Sequence, residues 1–286
     1  MSINNIVSQF DEIDRNDIDD HIFELYSEGA PPSNLGYVDR SSNTIEISLP
    51  QTGIDLKIKQ SLTELSSTKK TSSTTGFLCW WSSVFLVDWL STSNVTKLLS
   101  KSSTVIELGA GVGGICASVL AGKVKRYTAT DQKHILKLLK ENIESNITTP
   151  YVSSTLTNGS SSKSKKDKKD TLPIVDVLEF DWEELEQGMH NYHELTSNSG
   201  PPDIILACDT IYNEYLIPHF VNTMKMLLGA ESIAIVALQL RDSITIESFI
   251  RYVIIDAGLR MSTVSSHMLS GQLRSGYGVY IITLKD

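Results

Sequence analysis

Two periods of apolar and polar residues divide this chain. In the region 43–60, "NTIEISL" and "IDLKIK" alternate apolar and polar positions around the turn-like cluster "PQTG". That period of two predicts a β-hairpin. A polar Ser/Thr loop, "SSTKKTSSTT", follows. In 76–91, "GFLCWWSSVFLVDWLS", apolar residues recur at Phe77, Trp80, Trp81, Val84, Phe85 and Val87. Helical spacing of this kind predicts a buried helix. From Thr104 onward strands and helices alternate. "TVIEL", "RYTATD", "IVDVLEF", "DIILAC" and "SIAIVAL" read as strands, and "GGICASVLAG", "KHILKLLKENIESN", "IPHFVNTMKMLL" and "SITIESFIRYVIIDAG" as helices. "RMSTVSS" and "YGVYIITLK" close the chain as two strands with little between them. The order predicts an α/β fold over 104–286: a mostly parallel sheet of seven core strands with an antiparallel pair at one edge.

Two segments stand outside that series. Residues 1–40 are acidic ("DEIDRNDIDDHIFELY") and are read as a solvated arm, with a short amphipathic helix as the alternative. Residues 153–171, rich in Ser and Lys, lack large apolar groups after Leu156 and are expected to be a disordered surface insertion. A solubilising loop is the plain reading of its lysines; a nuclear-import patch or a weak RNA contact is the sharper one.

Composition narrows the class. The 286 residues are 41% hydrophobic, enough for a sizeable core, and carry a formal net charge of −9. Such a chain is a poor default binder of nucleic acid and a plausible partner for basic proteins. Cys79, Cys116 and Cys208 are far apart and form no C-x-x-C, against a zinc ribbon or a disulfide framework. No secretory signal and no run of about 20 apolar residues is present, so a soluble intracellular protein, cytoplasmic or nuclear, is expected. His190 and His193 form an H-x-x-H without an evident third ligand, so no metal is expected.

The candidate chemistry centres on "VIELGAGVGG". Gly109, Gly111 and Gly114 satisfy G-x-G-x-x-G between a strand and a helix, the context of a nucleotide cofactor. Asp131 ends the next strand, 22 residues after Gly109, where an acid accepts from ribose hydroxyls. Both features suit NAD and S-adenosyl-L-methionine alike. Glu107 separates them. It would repel the two phosphates of NAD and suits the positive sulfonium and ammonium of S-adenosyl-L-methionine, directly or through water.

"VIELGAGVGG" with "TATD", "LEFDW" and "ACDTIY" resembles the seven-strand, Rossmann-like methyltransferases, and within them the protein-lysine methyltransferases of family 16. "DTIY", Asp209 to Tyr212, fits that family's D-x-x-Y, and "TGFLCWWSS" its T-G-x-x-x-W, with Trp80 on the family tryptophan. The likeness runs from about Thr44 to the C-terminus. It implies that the backbone of Gly109, Ala110 and Gly111 lines the methionine part of the cofactor and that Asp131 takes the ribose. It implies that Trp182 flanks the adenine, with Asp181 accepting from the amino group. It also implies that Trp80 approaches from the covering helix and that the backbone of Cys208 touches the cofactor. Trp182 and Trp80 have ordinary core packing as their alternative.

Asp209 sits at the C-terminal end of a parallel strand, where ligands bind in open α/β sheets. There it would receive an incoming lysine ammonium and orient it, while Tyr212 supplies a hydrogen bond or an aromatic wall. The expected substrate is a basic protein, a ribosomal protein or translation factor, and the enzyme is expected to be a monomer. A nucleic-acid or small-molecule methyltransferase and a non-catalytic adaptor keeping the fold remain as alternatives. "DTIY" lacks the prolines of the N-P-P-Y-like elements that methylate base amines.

Overall fold

A computed structural model describes residues 7–28, 35–62, 75–92, 99–154 and 172–285. Most of the predicted Ser/Lys-rich insertion lies outside the described residues. A short strand β1 (Asp11–Glu12) and helix α1 (Ile18–Glu28) precede the hairpin β2 (Thr44–Ser48) and β3 (Asp55–Lys59). Helix α2 (Trp81–Thr92) leads into β4 (Thr104–Leu108), α3 (Ile115–Leu120), β5 (Arg126–Asp131), α4 (Leu136–Asn146) and β6 (Ile174–Glu179). Then come α5 (Leu185–Thr196), β7 (Ile204–Cys208), α6 (Ile217–Leu227), β8 (Ile233–Gln239), α7 (Ser243–Arg251), β9 (Arg260–Thr263) and β10 (Tyr277–Thr283).

The main sheet runs β1-β9-β10-β8-β7-β4-β5-β6. Strands β8, β7, β4, β5 and β6 are parallel, and β10 and β9 are antiparallel at the edge. Chain order reverses between β4 and β7, the switch point at which such sheets bind ligands. The central strands are buried on both faces, so they read as continuous apolar runs, whereas β2 and β3 alternate buried and exposed residues.

Besides helix α5, which the sequence reading did not place, three features differ from the sequence expectation. The sheet has eight strands, not seven, because Asp11 and Glu12 pair with Thr263 and Ser262 on the outer side of β9. A two-residue strand carries too little pattern to be read from sequence. For the acidic N-terminus, the helix is the reading observed. Ile18 is buried, Asp19 pairs with Arg251 of α7, and His21 lies 3.2 Å from the Tyr280 hydroxyl. The third difference is the covering helix, which starts at Trp81, not Gly76. Gly76 lies in a single 3-10 turn (Thr75–Phe77), and its carbonyl accepts from the Val112 amide at 2.8 Å. Helix α5 completes the crossover that parallel β6 and β7 require.

Side chains lock the hairpin onto α4. The Asn142 amide group donates to Lys59 O at 2.8 Å and Val112 O at 2.7 Å, and its oxygen accepts from Lys59 N at 2.9 Å. Asn146 does the same for Lys57. These asparagines satisfy the free edge of β3, which would otherwise present unpaired backbone groups. On the covering helix, the buried Asp88 carboxylate accepts from Gln51 N, Thr52 N and the Thr52 hydroxyl. The glycine turn is therefore braced from α4, and the covering helix is tied to the hairpin.

Candidate functional site

The C-terminal ends of β4, β5, β6 and β7 open into one cavity of about 640 Å³. Its floor is the turn Gly109, Ala110 and Gly111, and Asp131 and Trp182 stand on one side. Cys208, Asp209 and Tyr212 line the cavity as well, with Trp80 from the segment before α2. These residues come from stretches far apart in the chain and meet only because the parallel strands end together.

Gly109 and Gly111 have φ of +71° and +60°, a backbone region in which a side chain is strained. A Cβ on Gly109 would stand 3.1 Å from both the Trp182 ring and the Thr210 methyl, so the glycine lets those groups close over the turn. The amides of the turn are already in use: Ala110 N donates to Thr130 O, Gly111 N to the Asp131 carboxylate at 2.8 Å, and Val112 N to Gly76 O. A pyrophosphate would need those donors.

The wall carries four carboxylates, Asp131, Asp181, Glu183 and Asp209, and no Lys, Arg or His among its described residues. Burial pushes Asp131 up to about 6, against the two backbone amides it accepts from. Asp181 accepts from the Gln132 side chain at 2.8 Å and caps the short 3-10 turn that carries Trp182. Trp182 packs edge-on against Phe220, with ring centroids 5.1 Å apart.

The motif glycine Gly114 stands outside this wall, and so does Glu107. It is 2% exposed, accepts from the Tyr127 hydroxyl at 2.8 Å, and burial raises it to about 7. Cys116 stands beside it, with its sulfur 3.9 Å from that of Cys208, a wall residue. Glu107 therefore lies behind the cavity wall, not in it. Trp81 and Trp89 pack in the core, the latter donating to Met268 O at 2.8 Å.

Asp209 is a non-glycine residue at φ +56° with a side chain only 2% exposed. Backbone strain of this kind recurs at functional sites. Its carboxylate accepts from Arg241 at 2.6 Å and from Gln239 N at 3.3 Å. Arg241 was missed by sequence reasoning. It follows β8 at the ligand edge of the sheet, which is its one sequence signal. Its guanidinium also lies 5.0 Å from the Trp80 ring centroid and donates to Leu35 O.

The chain matches the sequence profile of the lysine methyltransferase family over residues 59–177 and 167–253. The chain belongs to the lysine methyltransferase family. A ribosomal lysine N-methyltransferase 5 from Lachancea thermotolerans is 30% identical, over 95% of this chain and 97% of its own. One from Candida glabrata is 27% identical over 95% and 98%. Among solved structures, an O-methyltransferase family protein from Burkholderia thailandensis covers 70% of this chain and 55% of its own. Its TM-score is 0.44 at 14% identity, too distant to add to that conclusion.

The methyl donor of this methyltransferase is S-adenosyl-L-methionine, and the wall fits it. With Asp209 paired to Arg241, the carboxylates Asp131, Asp181 and Glu183 give a lining that suits a sulfonium and an ammonium, and the turn has no free amide at Ala110, Gly111 or Val112 for a phosphate. The buried acids make binding depend on pH. Their pKa values are raised, so the ligand-free fold holds extra protons between the ordinary carboxyl range and pH 6–7, and its stability falls as pH rises through that window. A cationic ligand favours the ionised forms, so binding should release protons. Calorimetry at pH 6 in two buffers of different ionisation heat measures this. Release should shrink in Glu107→Gln and with the uncharged sulfur of S-adenosylhomocysteine. Proton uptake would contradict the assignment of a cation-binding wall.

His190 and His193 lie on α5, where His190 Nε2 is 3.7 Å from Glu194. Among the described residues no helix is long and apolar enough to cross a membrane.

Proposed function

We propose that this methyltransferase acts as a monomer on the ε-amine of a lysine in a ribosomal protein, in the cytoplasm or the nucleus. The observation that carries the reading is one cavity. It joins the glycine turn, Asp131 and Trp182 to Asp209 and Tyr212, so a cofactor side and a substrate side share a single chamber. The names of the relatives, ribosomal lysine N-methyltransferases, support the target class, and the net charge of −9 suits a basic partner.

S-adenosyl-L-methionine supplies an electrophilic methyl on a sulfonium. Asp131 would accept from the ribose hydroxyls, Trp182 would offer its ring face to the adenine, and the Gly109–Gly111 backbone and Cys208 would border the methionine part. Glu107 adds negative potential from behind. On the substrate side the demand is alignment of a neutral amine. A lysine with an ordinary pKa of about 10.4 must lose a proton, and the sulfonium charge beside it favours that loss. A carboxylate has about four acceptor positions, and Arg241 and Gln239 N take two at Asp209. The remaining ones would accept from the amine N–H and aim its lone pair, and water takes the proton.

The test is incubation of the purified protein, with labelled S-adenosyl-L-methionine, against ribosomes from cells lacking the enzyme. Label on a lysine of a ribosomal protein is expected. Label in RNA or small molecules would overturn the reading.

A further inference from the structure

Asp209 is almost wholly enclosed, and a lone buried carboxylate has a strong tendency to take up a proton. Its neighbours come from three elements. Arg241 reaches it from the end of β8 at 2.6 Å, and Gln239 N from the same strand end. Ser82 faces it from α2, and the Tyr277 phenol from β10. Tyr277 is itself pushed up to about 12, by burial first and then by Asp209, so it stays neutral and brings no charge. Arg241 is thus the group that supplies positive charge to this carboxylate. The arginine is held in turn: its guanidinium lies over the Trp80 ring, and it donates to Leu35 O at 3.0 Å. Trp80 is braced from the same side, since Trp81 N donates to Gly36 O at 2.8 Å and Tyr37 bridges to Trp80. The ion pair therefore ties the substrate side of the cavity to the N-terminal segment at 35–37.

We propose that Arg241 is the positioning residue of the substrate site: from its seat on Trp80 it keeps the enclosed Asp209 carboxylate ionised and aimed at the incoming amine. The inference rests on the assignment of Asp209 to the lysine substrate. Two consequences follow from the pairing. Burial holds the Asp209 carboxyl above the ordinary carboxylate range, and the Arg241 guanidinium limits that rise, so the group remains an acceptor to lower pH than it would alone. The carboxylate–guanidinium pair is also neutral as a unit, so it does not hold the incoming lysine in its charged, unreactive form.

The experiment compares wild type, Arg241→Gln and Arg241→Lys by two readouts. The first is the carboxyl carbon shift of Asp209, from aspartate-labelled protein titrated with pH and assigned by its loss in Asp209→Asn. The second is the pH profile of kcat/KM on the methylated substrate. In Arg241→Gln the Asp209 titration and the acid limb should both move up by about one pH unit or more, the size of effect a single adjacent charge exerts. Arg241→Lys should return them most of the way, and S-adenosyl-L-methionine affinity should stay unchanged in both variants. In the Asp209→Asn background Arg241→Gln should have no further effect on the profile.

An unmoved titration, or cofactor affinity falling in parallel with activity, would overturn the proposal. If Arg241→Gln melts below the assay temperature, Arg241→Lys decides: a titration shifted as far as expected for loss of the charge refutes it. The carbon titration needs no turnover, so it still judges Arg241 if the ribosomal substrate proves wrong.

Discussion

Asp209→Asn is expected to reduce methyl transfer by on the order of 10²–10³-fold while S-adenosyl-L-methionine affinity stays within about threefold, under 1 kcal/mol. Asparagine is the right replacement for three reasons. It matches aspartate in size, it tolerates the left-handed backbone that this position adopts at φ +56°, and it replaces the charged carboxylate by a neutral group of the same shape. Alanine would add backbone strain and confuse the two effects. The loss follows from alignment. An amide presents one acceptor oxygen in place of two and leaves Arg241 without its counter-ion, so the amine loses its fixed orientation. The cofactor side is built from other residues, which is why its affinity should hold. A stability loss from the orphaned arginine is expected too, and a thermal melt keeps it separate from activity. Transfer of labelled methyl and calorimetric titration of the cofactor check the split. Equal loss of both would remove Asp209 from the substrate side.

Gly109→Val should weaken cofactor binding by about 100-fold or more, near 3 kcal/mol, with a smaller effect on folding. Two costs combine. A non-glycine residue at φ +71° costs roughly 1–2 kcal/mol, more for a β-branched one. Its Cβ would also stand 3.1 Å from the Trp182 ring and from Thr210, and the two extra methyls have nowhere to go but that ring or the cavity. Trp182 lies on a short turn held by Asp181, so it gives way more readily than the sheet does. The site should therefore deform while the sheet persists. Calorimetry with S-adenosyl-L-methionine and a melting curve measure the two effects, and near-normal affinity would show that the turn is not part of the cofactor wall.

Much of the fold was legible because burial writes period into sequence. The hairpin 44–59 alternates, since one face is buried in the core and the other meets water. The central strands read as apolar runs because both faces are covered. Strand β1 was not legible, since two exposed acidic residues are too few to show a period and their partners, Arg260 and Ser265, lie near the other end of the chain. The start of α2 was misplaced for a related reason. Leu78, Cys79 and Trp80 are apolar because they roof the cavity, and a roof carries the same residues as a helix face.

The site divides along the same line. Local chemistry by itself determined the glycine turn, the acid ending β5, the aspartate ending β7 and the family to which these belong, because each depends on a few adjacent residues and their place on a strand. Glu107 shows the limit. Sequence settled its residue type and strand, but only packing decided that its carboxylate turns to Tyr127, outside the cavity wall. The pairing of Asp209 with Arg241, 32 residues apart, and the seating of that arginine on Trp80 were likewise decided by tertiary structure alone. An ion pair needs two groups to meet, and where side chains from separate strands and a covering segment meet is set by how those elements pack, not by any pattern within one of them.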